Sequence, residues 1–336
     1  MEKQVKRIGV LTSGGDAPGM NAALRAVART AANQGLSCIG IRRGWNGLIN
    51  SDFIPLGPSS VSHIINKGGT LLYTARSMEF MEPAGRAKAL NTCKLLGLDG
   101  IVAIGGDGTF RGALALSRQA AEAGMDLRVV GIPATIDNDI GCSHYTIGFD
   151  TACNTAIECI DKLRDTMQSH ERCSVVEVMG RHAGYLALYV GIAVGATAVL
   201  IPEREVDFDR DIVDKIRRAR LAGTTHYMVV VAEGAGSALD FGAQIHEKLG
   251  IDPRVTVLGH IQRGGSPTAR DRETASRMGY RAVMALVEGK DNCIIATQNG
   301  SIVDIGMEEA LQMKKSFQMD RYQMLEALTN SRGPDF

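Results

Sequence analysis

The chain carries no excess charge of either sign. Lys+Arg and Asp+Glu both number 37 in its 336 residues, so no global field draws it to nucleic acid or to an acidic membrane surface. Its seven cysteines (38, 93, 142, 153, 159, 173, 293) are odd in number and scattered, with no C-x-x-C pair. That excludes a disulfide framework and a zinc site, and it suits reduced thiols in a cytoplasmic protein. The opening Met-Glu-Lys-Gln-Val-Lys-Arg runs straight into a four-residue apolar strand, too short for a signal-peptide core. Tyr185 to Ile201 is uncharged over 17 residues, yet it holds two glycines, a threonine and two tyrosines and ends at Pro202. A membrane span needs about 20 strongly apolar residues, so this run reads as a buried helix followed by a buried strand. Low-complexity linkers and short-period repeats are absent. So are both familiar phosphate motifs. Gly14 and Gly19 have Walker A spacing, but Met20-Asn21 stand where Lys-Ser/Thr should be, and there is no G-x-G-x-x-G fingerprint.

What is present is alternation. Ile8–Leu11 reads as a strand, Met20–Gln34 as a helix stopped by Gly35, and Cys38–Ile41 as a strand. Arg42–Gly47 then reads as a turn carrying the only tryptophan. Helix Pro83–Gly97 leads to strand Ile101–Ile104, and a helix after Thr109 leads to strand Val129–Ile132. Beyond the helix beginning near Thr151, strands follow at Ser174–Val178, Ala198–Ile201, Met228–Ala232, Val255–Leu258 and Cys293–Ala296. Helices separate them: one after Gly184, a charged one from Asp207, one over Gly242–Leu249 and one from Arg270. This pattern predicts an α/β protein of two doubly wound, Rossmann-like domains with a boundary near Phe149.

Two strand ends carry the chemistry. The Ile101 strand runs into Gly105-Gly106-Asp107-Gly108-Thr109, and the Val129 strand leads to Thr135-Ile136-Asp137-Asn138-Asp139. Residues just past buried parallel strands lie where open α/β sheets bind ligands. Asp107, Asp137 and Asp139 would then stand at one sheet edge beside a glycine-rich turn. Clustered carboxylates are costly unless a cation or a reacting proton uses them. Taken singly, such aspartates are helix caps and such glycines are turns; two loops in this arrangement weigh against that.

Phosphoryl transfer needs a base, Mg²⁺ over the donor phosphates and fixed cations. Asp107 and Asp139 suit Mg²⁺, and Asp137 suits a hydroxyl proton. The turn Thr12–Gly19 between strand and helix can cradle a phosphate, though alone it is equally a structural turn. Arg76 offers a guanidinium fork. Met179-Gly180-Arg181, His260-Ile261-Gln262-Arg263, Arg172 and Arg254 sit at strand ends and describe a phosphorylated-sugar site better than a nucleobase site. Each arginine alone is equally a surface charge.

Several longer runs now identify a family. Gly-Gly-Asp-Ala-Pro-Gly-Met-Asn-Ala (14–22), Ile-Gly-Gly-Asp-Gly-Thr (104–109), Thr-Ile-Asp-Asn-Asp (135–139), Val-Val-Glu-Val-Met-Gly-Arg (175–181) and Val-Leu-Gly-His-Ile-Gln-Arg-Gly-Gly-Ser-Pro (257–267) resemble the bacterial 6-phosphofructokinases, collinearly from residue 7 to about 320. The resemblance implies the phosphofructokinase fold and ATP-dependent, Mg²⁺-dependent phosphorylation of fructose 6-phosphate at its 1-hydroxyl. It implies an ATP-binding domain of 1–148 plus about 262–312, and a sugar-phosphate domain of 149–261 plus about 313–336. Gly15, Arg76, Ser77, Gly106, Asp107, Gly108 and Thr109 would hold the nucleotide, with Asp107 on Mg²⁺. Asp137 would be the base. Thr135, Ile136, Asp137, Met179, Gly180, Arg181, Glu233, His260, Ile261, Gln262 and Arg263 would hold the sugar phosphate. Arg172 and Arg254 would reach across from a neighbouring subunit of a homotetramer. No nucleic acid or membrane partner is implied.

The donor is expected to be ATP. Pyrophosphate-using relatives carry aspartate and lysine where this chain has Gly108 and Ala134. Among effector residues, Arg25, Arg29 and Arg164 match the family's basic cluster, but Pro58, Ala222, Thr224 and Thr225 replace cations. Thr197 replaces an acidic residue, and Trp45 replaces a tyrosine beside the adenine. Three other readings compete: a pyrophosphate-dependent phosphofructokinase, a NAD or diacylglycerol kinase sharing Gly-Gly-Asp-Gly-Thr, and a silent sugar-phosphate sensor on the same scaffold.

Overall fold

The computed structural model describes residues 5–329. In chain order the elements begin with β1 Arg7–Thr12, α1 Met20–Asn33, β2 Ser37–Ile41, α2 Trp45–Ile49, β3 Phe53–Pro55, α3 Pro83–Leu96, β4 Gly100–Gly105 and α4 Asp107–Glu122. They continue with β5 Arg128–Pro133, α5 Phe149–His170, β6 Cys173–Val178, α6 Tyr185–Ala193, β7 Ala198–Leu200, α7 Asp214–Leu221, β8 Tyr227–Ala232 and α8 Ala238–Leu249. Last come β9 Arg254–Val257, α9 Ala269–Val287, β10 Cys293–Gln298, β11 Ser301–Gly306, α10 Met307–Gln312 and α11 Met319–Thr329.

The chain packs as two compact units. The first comprises Met1–Ile136, Ile140–Thr151 and Arg263–Lys315, and the second Asp137–Asp139, Ala152–Gln262 and Ser316–Phe336. The three residues Asp137–Asp139 thus pack with the second unit, although the domain ranges expected from sequence put them in the first.

The first unit is built on a seven-stranded sheet in the order β11-β10-β5-β4-β1-β2-β3. From β1 the chain winds to β2 on one side and to β4 on the other, so the order reverses between β1 and β4. That reversal opens a crevice beyond the carboxyl ends of these two strands. Their runs qualify as central strands because Ile8, Val10, Leu11 and Ile101 to Ile104 are buried on both faces. Helices α1 and α4 cover the sheet, with Leu24, Phe110, Leu114 and Leu116 in the core. Each such side chain contributes about 1.5–3 kcal/mol by leaving water. The second unit has a four-stranded parallel sheet, β7-β8-β6-β9, with β6 between β8 and β9. Its core joins Val175, Leu200, Ile212, Ile216, Val229, Val231, Phe241 and Ile245.

The alternation expected from sequence is present, with corrections at its margins. The sheet edges β3 and β11 are antiparallel strands that the pattern does not predict. The β10–β11 hairpin turns on Asn299-Gly300, both at positive φ, the two-residue signature of such a turn. Trp45 opens a short helix instead of lying in a turn. Helix α8 begins four residues earlier than expected, at Ala238, because the Ser237 side chain accepts from the Asp240 amide at 3.4 Å and caps it. The charged helix expected from Asp207 opens with a π-helical turn, Asp209–Val213. The uncharged run from Tyr185 is α6 followed by β7, and among the described residues no helix is long and apolar enough to cross a membrane. Burial pushes the thiols of Cys38, Cys93 and Cys173 up to about 12, so they sit in the core as apolar groups.

Candidate active site

In the first unit the loop after β1 closes over the β1–β4 crevice. It is held from three sides. Thr74 Oγ1 donates to the Gly14 carbonyl at 2.6 Å, and Thr109 Oγ1 to the Ser13 carbonyl at 3.1 Å. Arg263 Nη1 donates to the Asp16 carbonyl at 3.2 Å. Gly19, at φ 113, hands the loop over to α1; a Cβ there would lie 2.6 Å from Ile147 Cγ2. Asn21, where a Walker lysine would be flanked by Ser or Thr, has a different task. Its Nδ2 donates to the carbonyls of Lys67 and Gly68, both at 3.1 Å, and its Oδ1 accepts from the Leu71 amide at 2.7 Å. It splints the Lys67–Leu71 loop to the start of α1.

The residues expected at the nucleotide gather around this loop. Gly15 and Asp107 are exposed, and Gly106 to Thr109 form the first turn of α4 and the residue before it. The positive end of a 16-residue helix dipole therefore faces the crevice, a ready anion site. Asp107 stands on that turn, and a Cβ at Gly108 would meet no heavy atom within 4 Å. Thr109 is buried with its hydroxyl donated to Ser13. Arg76 is exposed, and Ser77 Oγ accepts from the Phe80 amide at 3.3 Å. Trp45 lies stacked on Phe80 at 4.6 Å, and its buried indole Nε1 finds no hydrogen-bond partner.

In the second unit, three parallel strands deliver their carboxyl ends side by side. Val178 pairs with Ala232, and Glu177 with Val257. Met179-Gly180-Arg181, Glu233 and His260-Ile261-Gln262 consequently leave one sheet edge together. Gln262 is fully buried, and its Oε1 accepts from the Met179 amide at 2.9 Å while Nε2 is left without a partner. The Gly234 amide donates to the Gly180 carbonyl at 3.3 Å and ties the second loop to the first. Arg181, Glu233, His260 and Ile261 are exposed. Burial, helped by the charges of Glu203 and then Asp139, pushes the Tyr185 hydroxyl up to about 12.

Arg172 and Arg254 are elsewhere. Arg254 opens β9 and pairs in register with Ser174, and Arg172 directly precedes β6. Both therefore stand at the amino edge of the sheet; measured along the strand direction, Arg254 lies roughly 16 Å and Arg172 roughly 23 Å from Met179. They do not join the loops of their own chain's carboxyl edge. Arg263, expected with the sugar residues, belongs to the first unit and has its guanidinium on the phosphate loop.

Of the candidate effector arginines, Arg25 and Arg29 lie on α1 in the first unit and Arg164 on α5 in the second. Arg164 donates to the Val194 carbonyl and lines a cavity of about 220 Å³ with Thr197, Thr224, His226, Met228 and Leu325. Sequence reasoning missed Asn21 and Asp271 as organisers of the loops. The Thr268-x-x-Asp271 pattern at the head of α9 is a capping signal, but it does not disclose which distant segment the carboxylate meets.

Among the described residues no three His, Cys, Asp or Glu side chains cluster as a metal site. Mg²⁺ does not require one, since it usually retains waters and is held by one or two carboxylates together with substrate phosphates. The exposed Asp107 carboxylate at an anion-binding helix terminus fits that donor set.

The model of the family described as phosphofructokinase matches residues 7–286. An ATP-dependent 6-phosphofructokinase of Clostridium botulinum is 50% identical over 325 residues, covering 97% of this chain and 100% of that protein. ATP-dependent 6-phosphofructokinase 1 of Clostridium perfringens is 50% identical over 96% of this chain and 99% of its own. The solved phosphofructokinase of Saccharomyces cerevisiae superposes with a TM-score of 0.89 at 33% identity, over 95% of this chain; this chain spans 50% of that one. A pyrophosphate-dependent phosphofructokinase from Marinobacter aquaeolei has the same fold, with a TM-score of 0.84 at 21% identity over 94% of this chain and 86% of its own.

Proposed function

The chain belongs to the phosphofructokinase family, and from that premise we infer that it transfers the γ-phosphate of ATP to the 1-hydroxyl of fructose 6-phosphate, giving fructose 1,6-bisphosphate and ADP, a step of glycolysis. The observation that carries this is 50% identity along essentially the whole of both chains to an ATP-dependent member.

The roles proposed for the residues are those the family resemblance implies, and the placement of the loops within each unit supports them. The first unit receives the triphosphate with the amides of Gly15 and of the α4 terminus, Gly106 to Thr109, while Arg76 and Ser77 border it. Asp107 holds Mg²⁺, which when bound neutralises charge on the donor phosphates. In the second unit Met179, Gly180, Arg181, Glu233, His260, Ile261 and Gln262 hold the sugar phosphate. The family resemblance implies Thr135, Ile136 and Arg263 for the same substrate. Asp137 accepts the proton of the 1-hydroxyl as its oxygen bonds to phosphorus and the bond from phosphorus to the ADP oxygen breaks.

The working unit is proposed to be a homotetramer. Arg172 and Arg254 stand at the amino edge of the β6–β9 sheet, away from the loops of their own chain, which supports their serving a neighbouring subunit's sugar phosphate. The cytoplasm is the proposed compartment, in keeping with seven scattered cysteines that have no C-x-x-C pair.

ATP is the proposed donor in preference to pyrophosphate. The space about Gly108 is open where an aspartate would fill the place of an α-phosphate, and Ala134 supplies no cation. A coupled assay with fructose 6-phosphate and either ATP or pyrophosphate tests this. ATP turnover with no comparable pyrophosphate turnover is expected, and Gly108→Asp should fold normally yet lose most ATP use. Comparable rates with the two donors would refute the reading.

A further inference from the structure

The first unit buries a carboxylate that the roles above leave unused. Asp271, in the first turn of α9, is 0% exposed. Its Oδ1 accepts from Tyr145 Oη at 2.5 Å and from the Gly148 amide at 2.7 Å. Its Oδ2 accepts from the Thr151 amide at 2.8 Å and from Thr151 Oγ1. Burial nonetheless pushes its pKa above the ordinary carboxylate range, against the pull of those donors. A buried polar group is tolerated only when its hydrogen bonds are made, and these are made to a single short stretch of chain.

That stretch is the strap Tyr145–Thr151, and it opens α5. The Thr151 amide is one of the first-turn donors of that 22-residue helix, so Asp271 caps α5 from 120 residues away in sequence. The capping is mutual. Thr268, which caps α9, donates its amide to Thr151 Oγ1 at 3.0 Å and its hydroxyl to Asp150 Oδ2 at 2.7 Å. Two helix amino-termini are locked together through two carboxylates, Asp271 and Asp150, and two threonines.

The strap touches both working loops of this unit. Thr146 Oγ1 donates to the Thr135 carbonyl at 2.6 Å, the Ile147 amide donates to the Pro133 carbonyl at 3.0 Å, and Ala134 bridges to Ile147. The backbone leading into Asp137 is thus braced by the strap. On its other side the phosphate loop rests on it. A Cβ at Gly148 would meet Ala17 Cβ at 2.6 Å, and one at Gly19 would meet Ile147 at 2.6 Å and Asp271 Cβ at 3.5 Å.

We propose that Asp271 is a positioning residue for phosphoryl transfer. By clamping the strap Tyr145–Gly148, it fixes at once the backbone that presents Thr135 to Asp137 and the floor of the phosphate loop at Ala17–Gly19. It touches neither substrate, and its effect is on alignment. The proposal rests on the reaction assigned under the previous heading. Native turnover is therefore measured first: its absence overturns that assignment, whereas normal native turnover with unaltered variants overturns this one.

The experiment compares Asp271→Asn, Tyr145→Phe and Thr146→Val with Asp304→Asn, a change in an ion-pair network outside the proposed site, by steady-state kinetics and thermal melting. Asp271→Asn turns a donor toward the Thr151 amide or the Gly148 amide and loosens the strap. A misplacement of about 1 Å is expected to lower kcat by roughly 10²-fold well below its Tm, with KM for fructose 6-phosphate within about threefold. Tyr145→Phe and Thr146→Val should each lower kcat by about 5–10-fold, and their double variant by less than the product, because both act through one strap. Asp304→Asn should lower Tm and leave kcat per folded subunit alone. A kcat within about twofold of native in folded Asp271→Asn overturns the proposal. If that variant does not fold, native kcat in both Tyr145→Phe and Thr146→Val overturns it instead.

Discussion

Gly15→Ala separates the chemistry of the phosphate loop from its stability. Gly15 is exposed and its φ is ordinary, so alanine costs nothing in backbone strain. The added Cβ, however, would lie 2.6 Å from Arg263 Nη1 and 3.2 Å from Cζ. An ordinary contact of this kind is about 3.5–4.0 Å, so the guanidinium must retreat by about 1 Å. It can do so, because it is the far end of a flexible side chain. Retreat forfeits the 3.2 Å bond to the Asp16 carbonyl, which water can replace at this half-exposed site. The stability cost is therefore about 1 kcal/mol or less, a shift in Tm of a few degrees. The catalytic cost is larger. A cation displaced by about 1 Å from its substrate loses roughly 10²-fold in kcat/KM, or about 2.7 kcal/mol of transition-state binding, and the methyl group also obstructs close approach of the triphosphate. Gly105→Ala is the contrast. Its Cβ would meet the Ser13 carbonyl and Thr109 Oγ1 at 2.4 Å each, and backbone cannot retreat, so it should fail by instability. Initial rates in a coupled assay with thermal melts of each variant decide the matter. Native kcat/KM for both substrates in Gly15→Ala, or a large fall in Tm with native turnover per folded subunit, would refute the reasoning.

Three further outcomes follow from the same geometry. Asp137→Asn removes the proposed base, and kcat should fall by about 10²–10⁴-fold with little change in KM; mixed with inactive Arg254→Ala chains it should regenerate some activity, and mixed tetramers without any would argue that each subunit is self-contained. The Asp304 carboxyl is held below its ordinary range by the Arg281 guanidinium, so it stabilises the fold above the unfolded pKa near 4, and that contribution is lost as pH falls through the lower folded value. Tm should therefore fall as pH is lowered below about 4, less steeply in Asp304→Asn, and parallel curves would remove Asp304 from the account. ADP at millimolar level should not shift the fructose 6-phosphate saturation curve, since the cavity beside Arg164 offers Thr197 and Thr224 in place of charges and Arg164 is bonded to Val194; a marked leftward shift abolished by Arg25→Ala would reverse that view.

The central strands were legible because β1, β4, β5, β6 and β8 are nearly continuous apolar runs ended by glycine or acidic turns, and burial on both faces permits nothing else. The edges were not, for a physical reason. β3 is three residues long and half-exposed, and β11 shows only partial burial, so neither stamps a pattern on the sequence. The Asn299-Gly300 turn was the one available sign of β11, and it lies in a stretch with little apolar contrast. Candidate residues were legible where one loop carries them, as at Gly106–Thr109 and His260–Arg263. What spacing could not tell is which edge of a sheet a residue occupies relative to the others.

Strand direction supplies that missing fact, and it changes what the arginines mean. In a parallel sheet every loop following a strand lies at one edge and every residue preceding a strand lies at the other. Arg181 follows β6 and Arg172 precedes it; His260 follows β9 and Arg254 opens it. The four cannot converge within one sheet, however suitable their charges look together in a list of residues. An enzyme that needs all four for one sugar phosphate must bring two of them from another copy of itself. The same reasoning isolates Asp271, whose capped partner α5 begins at Phe149 far upstream. A carboxylate in the first turn of a helix reads locally as that helix's own cap, and Thr268 already fills that office for α9. Only the fold brings the amide of Thr151 to the spare oxygens, which is why a residue that organises two loops is mute in the sequence.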